Sequence, residues 1–340
     1  MELFGNYKVI KVVKFLSRIV NKIAFVGDPH LSSKTPSSRT DDYAQTSLDK
    51  LDRLLNLCKK ENITHVVLLG DLFNTPTDTL LYVNRVMQKF KEFERNNIFV
   101  FSILGNHSVS NMKHENKDKS SEGLIYTSKL IRELQYEPFT SPQGYSIGLY
   151  GYHYSQPIGL PSKGDKLNIC VAHKGYDEPF DGSLTKTACL ELGYNVYALG
   201  HFHQDYKPLN ESHFMVVRPG RFMRNTCDTY NYTNHINVDV LHFKGTLERP
   251  FCTVERLYLE VEDYSKIFST KVLTKNNDND KYLASLSSRV QSLMEKMDFI
   301  NDDDNGSDIY RVLDSLDIDY RVKNNIEVYL NYIGLNRSGK

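Results

Sequence analysis

No apolar run in this sequence is long enough to cross a bilayer as a helix, which needs about 20 consecutive apolar residues. A membrane partner is therefore not expected. Cysteine pairing is also lacking. The five cysteines (Cys58, Cys170, Cys189, Cys227 and Cys252) are odd in number, scattered, and without a C-x-x-C pair. They read as reduced thiols in a reducing compartment, the cytoplasm. Net charge is absent too, with Lys+Arg and Asp+Glu both at 42. Contact with nucleic acid must then come from a local field, from metals or from a partner.

The 340 residues allow one large domain with smaller appendages. Residues 1–22 interleave Val9, Ile10, Val12, Val13, Phe15 and Leu16 with Lys8, Lys11, Lys14 and Arg18. This basic amphipathic extension has neither the uninterrupted apolar segment nor the cleavage site of a signal peptide. It fits an element packed on the domain, a disordered or mis-started extension, or a contact for an acidic partner or surface.

Short apolar runs follow, and several stop at metal-ligand residue types. Residues 66–69 are apolar and lead into Gly70 and Asp71, as in a strand buried on both faces. Runs at 23–26, 98–104, 167–172 and 196–199 lead into Asp28-Pro29-His30, Gly105-Asn106-His107, His173 and Gly200-His201-Phe202-His203. Taken singly, an Asp or Asn after a strand is a turn former. Collected at one sheet edge, where α/β sheets bind ligands, Asp28, Asp71 and Asn106 offer oxygen while His30, His173, His201 and His203 offer nitrogen. That mixture suits two divalent cations of intermediate softness. Asp71 has two oxygens with which to bridge them, and a cation pair of this kind clamps a phosphate. His107 is left over, free to protonate a departing alkoxide.

Helical spacing predicts helices over 43–60, 78–95 and 124–135, so that strands and helices alternate as βαβ units. Residues 108–123 form a polar loop opening from the proposed site. Strand-like runs occur at 145–154, 167–172, 195–199, 214–218, 236–243 and 256–261. The expectation is an α/β (α+β) architecture of two facing sheets with helices outside. Residues 275–340 read as a small helical domain, either packing on the rest or docking a partner. His65 reads as structural, and His213, His235 and His242 as ordinary. His114, His153 and Lys174 are further candidates for substrate contact.

The ordered blocks over 23–203 resemble the calcineurin-like metallophosphoesterases. Gly70-Asp71-Leu72-Phe73, Ala172-His173, and Gly200-His201-Phe202-His203 with Arg218-Pro219-Gly220 after it are similar to the SbcD-type branch, the nuclease subunit of a recombination and double-strand-break repair complex. The chain length resembles phage-encoded members, for which the compartment would be the host cytoplasm. The resemblance implies a four-layer αββα sandwich over 23–204. Remaining core strands and a β-rich capping, DNA-binding region would occupy 205–274, and a partner-binding helical domain 275–340. It implies two Mn2+ ions, with Mg2+, Fe2+ or Zn2+ acceptable at one position. Asp28, His30, Asp71 and His203 would hold the first ion, and Asp71, Asn106, His173 and His201 the second. His107 would orient or protonate the scissile phosphate.

Implied partners are DNA (double-stranded ends, hairpins or single strands) and an SbcC-like SMC/ABC ATPase. A homodimer within a heterotetramer is also implied, with 78–95 and 124–135 as candidate dimer helices. One departure stands out: the family usually has an acidic residue after Gly-Asn-His, and here it is Ser108. A carboxylate there would steer His107. Two other readings stay open, a phosphatase or cyclic-nucleotide phosphodiesterase of the same fold, and a weakly active scaffold subunit.

Overall fold

Alternation along the strands builds the layers. In β1 (Lys22–Val26) Ile23 and Phe25 face one way and Ala24 and Val26 the other, and all four are buried. A strand buried on both faces must sit inside a sheet covered on both sides. The computed structural model describes residues 19–109, 114–177, 183–204, 206–225 and 235–268.

Among these, two six-stranded sheets form. In the first, β1, β2 (His65–Leu68), β3 (Phe99–Ser102) and β4 (Arg132–Glu133) run parallel. The hairpin of β11 (His235–Gly245) and β12 (Pro250–Glu260) adds antiparallel strands beyond β1. In the second, β6 (Ser146–Tyr152), β7 (Leu167–Ala172), β8 (Val196–Leu199) and β10 (Met215–Val217) are parallel. Edge strands β5 (Tyr136–Thr140) and β9 (Leu209–Asn210) are antiparallel to their neighbours.

The sheets face each other across Phe25, Val67, Phe101, Ile147, Ile169 and Val196. Helices α1 (Tyr43–Lys60) and α2 (Leu80–Arg95) cover the outer face of the first sheet with Leu48, Leu51, Val86 and Phe90. Helix α4 (Lys186–Leu192) lies over the second, where Cys170, Cys189, Tyr194 and Tyr197 form a third cluster. This is the expected four-layer sandwich. Asp42 caps α1, its carboxylate accepting from the amide of Gln45 at 3.0 Å. No described helix is long and apolar enough to cross a membrane.

The 124–135 expectation is corrected. Helix α3 spans Ser121–Thr127, Lys129 turns to a positive φ of 61°, and Arg132–Glu133 pairs with β3. Ile125, Ile131 and Leu134 are all buried, so their spacing mimics a helix, while the open edge of β3 supplies the backbone partners that decide otherwise. β5 carried no strand signal, and β12 starts before the expected 256 because its half-exposed residues do not alternate cleanly. The polar loop contains a 3-10 turn, His114–Lys119. Within 205–268 the described strands belong to the two sheets. Residues 1–18 of the basic extension and all of 275–340 lie outside the described residues.

Candidate metal centre

Strands β1, β2 and β3 end at one edge of their sheet, and β7 and β8 end at the matching edge of the other. Every proposed ligand lies just past one of these ends. The connections are tight. Gly70, at φ 102°, brings the backbone so near His173 that a Cβ there would lie 2.3 Å from Nδ1. A Cβ on Gly105 would lie 2.1 Å from Asp71 Oδ1. Four proposed ligands are themselves left-handed: Asp28 (35°), His30 (43°), Asp71 (49°) and His201 (86°). Non-glycine residues in that region cost energy and cluster at functional sites.

All seven proposed ligands meet. His30 Nε2 lies 2.9 Å from His203 Nε2 and 3.9 Å from Asp71 Oδ2. His173 Nε2 lies 3.2 Å from the same Asp71 oxygen and 3.0 Å from Asn106 Oδ1. His201 Nδ1 is 3.0 Å from Asn106 Oδ1. Asp28 is held beneath them, with Oδ1 3.6 Å from His173 Nδ1 and accepting the His201 amide at 3.0 Å. Asp28 belongs to two clusters of convergent ligand atoms, one with His30 and His203, the other with Asp71 and His173.

Burial dominates the electrostatics. It pushes the carboxyl of Asp28 up to about 7, with nearby Asp71 adding to the rise and His173 opposing it. It pushes His30 down to about 3 and His201 and His203 down to about 4. Burial works against charge on Asp71 and His173 as well, but their mutual attraction and hydrogen bond win. Asp71 is held well below the usual carboxylate range and His173 rises to about 9.

The donor set fits divalent cations. Two atoms each about 2.1 Å from one ion and at right angles lie about 3.0 Å apart, the separation found between His30 and His203, His173 and Asn106, and His201 and Asn106. His173 donates Nδ1–H to Leu69 O at 2.8 Å, which leaves Nε2 facing the other donors. Metal-bound histidines are oriented in this way.

His107 stands at the mouth, exposed, its ring 5.1 Å from that of His30. Its Nδ1 donates to Asn74 O at 3.0 Å, and its amide donates to Asp71 Oδ1 at 2.7 Å.

The other candidates separate. His153 is buried, its Nδ1 accepting the Leu104 amide at 2.9 Å and its Nε2 lying 3.1 Å from Glu133, so it supports the chain rather than meeting substrate. Lys174 lines a different cleft with Leu160, Ser183 and Ala188. The side chain of His114 lies outside the described residues. His65 packs among Phe99, Phe101 and Phe139, as expected of a structural residue. His213, His235 and His242 contact Ser212, Tyr258 and Glu255 respectively.

Sequence reasoning missed Tyr154, whose ring lies 5.7 Å from His201 and 6.1 Å from His173. It also missed Arg221, which donates to His203 O at 3.0 Å, directly after the Arg218-Pro219-Gly220 motif that could have flagged it.

Residues 21–205 match the family model described as calcineurin-like phosphoesterase. The chain belongs to the calcineurin-like phosphoesterases. This fold marks a hydrolase of phosphoesters that works with divalent metal ions. The phosphoesterase is 25% identical over 204 residues to the DNA double-strand break repair protein Mre11 of Saccharolobus solfataricus, covering 55% of this chain and 50% of that protein. It is 27% identical over 184 residues to the protein of the same name from Methanocaldococcus jannaschii, covering 48% of each. The chain spans about half the length of the curated relatives it matches. A dimetal phosphatase from Danio rerio aligns at a TM-score of 0.43 and 13% identity, covering 72% of this chain and 100% of that one.

Proposed function

We propose that this phosphoesterase is the nuclease subunit of an SbcCD-like recombination and repair complex, a Mn2+-dependent DNA exo- and endonuclease. The observation that carries the reading is the meeting of Asp28, His30, Asp71, Asn106, His173, His201 and His203 beside the exposed ring of His107. Asp28, His30, Asp71 and His203 would hold one cation, and Asp71, Asn106, His173 and His201 the other. The Oδ2 of Asp71, facing both His30 and His173, supports its shared role. Bound there, two divalent cations would neutralise the scissile phosphate and activate water for in-line attack.

The chain's own part is to orient and to move a proton. With Nδ1 committed to Asn74 O, His107 keeps Nε2 for the proton passed to the leaving oxygen. The likeness to Mre11 repair proteins favours DNA over small phosphoesters as substrate.

The complex would be cytoplasmic. An SMC-like ATPase would bind residues 275–340, and a second copy would pair through residues 78–95 and 124–135. Deleting 275–340 should then lose the ATPase while leaving metal binding intact.

The deciding experiment compares turnover with Mn2+ on double-stranded ends, hairpins and single-stranded DNA against cyclic nucleotides and phosphate monoesters. Preference for DNA by at least tenfold is expected. Preference for monoesters or cyclic nucleotides would make the chain a phosphatase or phosphodiesterase. No turnover of any substrate, even with the ATPase added, would make it a scaffold.

A further inference from the structure

Phe222 joins the metal centre to a second polar region. Its amide donates to Asp28 O at 3.2 Å, and its carbonyl accepts from Lys50 Nζ at 3.0 Å. Lys50, on α1, is 2% exposed and lines a cavity of about 170 Å3 together with Arg39, Arg53 and Arg224. Arg39 and Arg224 are buried as well. Two carboxylates, Asp49 and Glu262, also line it, and both are exposed to water. None of the seven proposed metal ligands lines it.

The cations around this cavity are unequally matched. Arg39 is held by both oxygens of Asp41, at 2.8 and 2.6 Å. Arg224 donates to Glu262 O. Arg53 donates to Glu260 O at 2.7 Å and lies 3.6 Å from Glu262 Oε1. Among the described residues Lys50 has one acceptor, the Phe222 carbonyl, although an ammonium carries three donors. A buried charge is costly unless it is paired. Burial pushes the pKa of Lys50 well below its ordinary value, and Arg224, Arg39, Arg221 and Arg53 push it the same way. An anion in the cavity would offset that repulsion.

Size and donor type select the anion. The cavity has room for roughly six waters at about 30 Å3 each, enough for a phosphate. It falls short of the roughly 300–1,000 Å3 that encloses a drug-sized ligand, so a nucleoside would stay outside. Guanidinium and ammonium donors match phosphate oxygens.

We propose that this cavity binds a phosphate group through Lys50, Arg53 and Arg224, apart from the metal centre. The phosphate is either free or the end of a nucleotide.

The full chain, stripped of metal by a chelator and dialysed, is titrated with inorganic phosphate in a calorimeter, against chloride at equal ionic strength. Phosphate should bind saturably, one per chain, and raise Tm; chloride should do neither. Lys50→Met should weaken binding at least roughly tenfold, as expected on losing a hydrogen bond to a charged group. Arg53→Ala should weaken it by a smaller factor, and His201→Ala, at the metal centre, should leave it unchanged. Weaker binding of dAMP than of phosphate assigns the site to the free anion, and tighter binding assigns it to the phosphate end of a nucleotide.

No saturable binding by wild type overturns the proposal, as does wild-type affinity in Lys50→Met. Binding lost in His201→Ala overturns it too, since phosphate would then sit at the metal centre. If Lys50→Met does not fold, Arg53→Ala decides, and wild-type affinity in that variant overturns the proposal. None of these readouts involves turnover, so a failure of the nuclease reading leaves them intact.

Discussion

Asp71 accepts the backbone N–H of His107 through Oδ1 at 2.7 Å. Its other oxygen faces His173 at 3.2 Å. One carboxylate therefore ties the proposed cation positions to the turn that carries the proposed acid. Asp71→Asn keeps an acceptor for His107 and removes the charge. Hydrolysis should fall by more than about 100-fold, beyond the usual effect of an outer hydrogen-bond partner. Calorimetry should show weakened Mn2+ binding. Full Mn2+ stoichiometry at wild-type affinity would argue against Asp71 as the shared ligand.

His107→Asn tests proton delivery. The variant should cut phosphodiesters roughly 100- to 10,000-fold more slowly while binding Mn2+ as wild type does. Activity on substrates with very acidic leaving groups should suffer least, since they need no proton. Wild-type rates on DNA would remove His107 from the mechanism.

Metal removal should lower thermal stability. Asp28 and Asp71 are buried together, and a bound cation offsets their charge in the folded state alone. Adding Mn2+ at 100 times its Kd to chelator-treated protein should stabilise the fold by about 2.7 kcal/mol and raise Tm. Asp28→Asn should abolish most of that rise. An unchanged Tm on adding Mn2+ to wild type would count against the site.

Glu133 offers a pH test away from the metals. The His153 hydrogen bond, against a smaller opposing effect of burial and aided by Lys117, lowers its pKa from 4.5 to about 2. A depressed carboxylate pKa contributes stability above the unfolded value, and that contribution is lost as pH falls from 4.5 towards 2. Glu133 is partly exposed, so the contribution is discounted to about 1–2 kcal/mol. Glu133→Gln should therefore melt earlier than wild type at pH 7, and the gap should close between pH 4.5 and 2. A gap independent of pH would show a packing effect instead.

Much of the centre was legible because its signals are local. A short apolar run that stops at Asp, Asn or His declares both a strand and the residue type at its end, and β1, β2, β3, β7 and β8 were read that way. The donor set followed, since Asp, Asn and His in that proportion suit only some cations. The strand at 132–133 was misread because pairing with β3, rather than local spacing, determines it. Glu122 looked like any helix-start acid, and only packing buries it against Ser102 and Tyr126.

By itself the sequence determined which side chains end the strands and what chemistry they carry, since periodicity and turn residues act over a few positions. Tertiary structure alone decided which of them touch. His30 and His203 are 173 residues apart, yet their ring nitrogens are 2.9 Å apart. Strand order, the facing of two sheets and backbone hydrogen bonds between distant segments bring them there, and no local pattern encodes those distances.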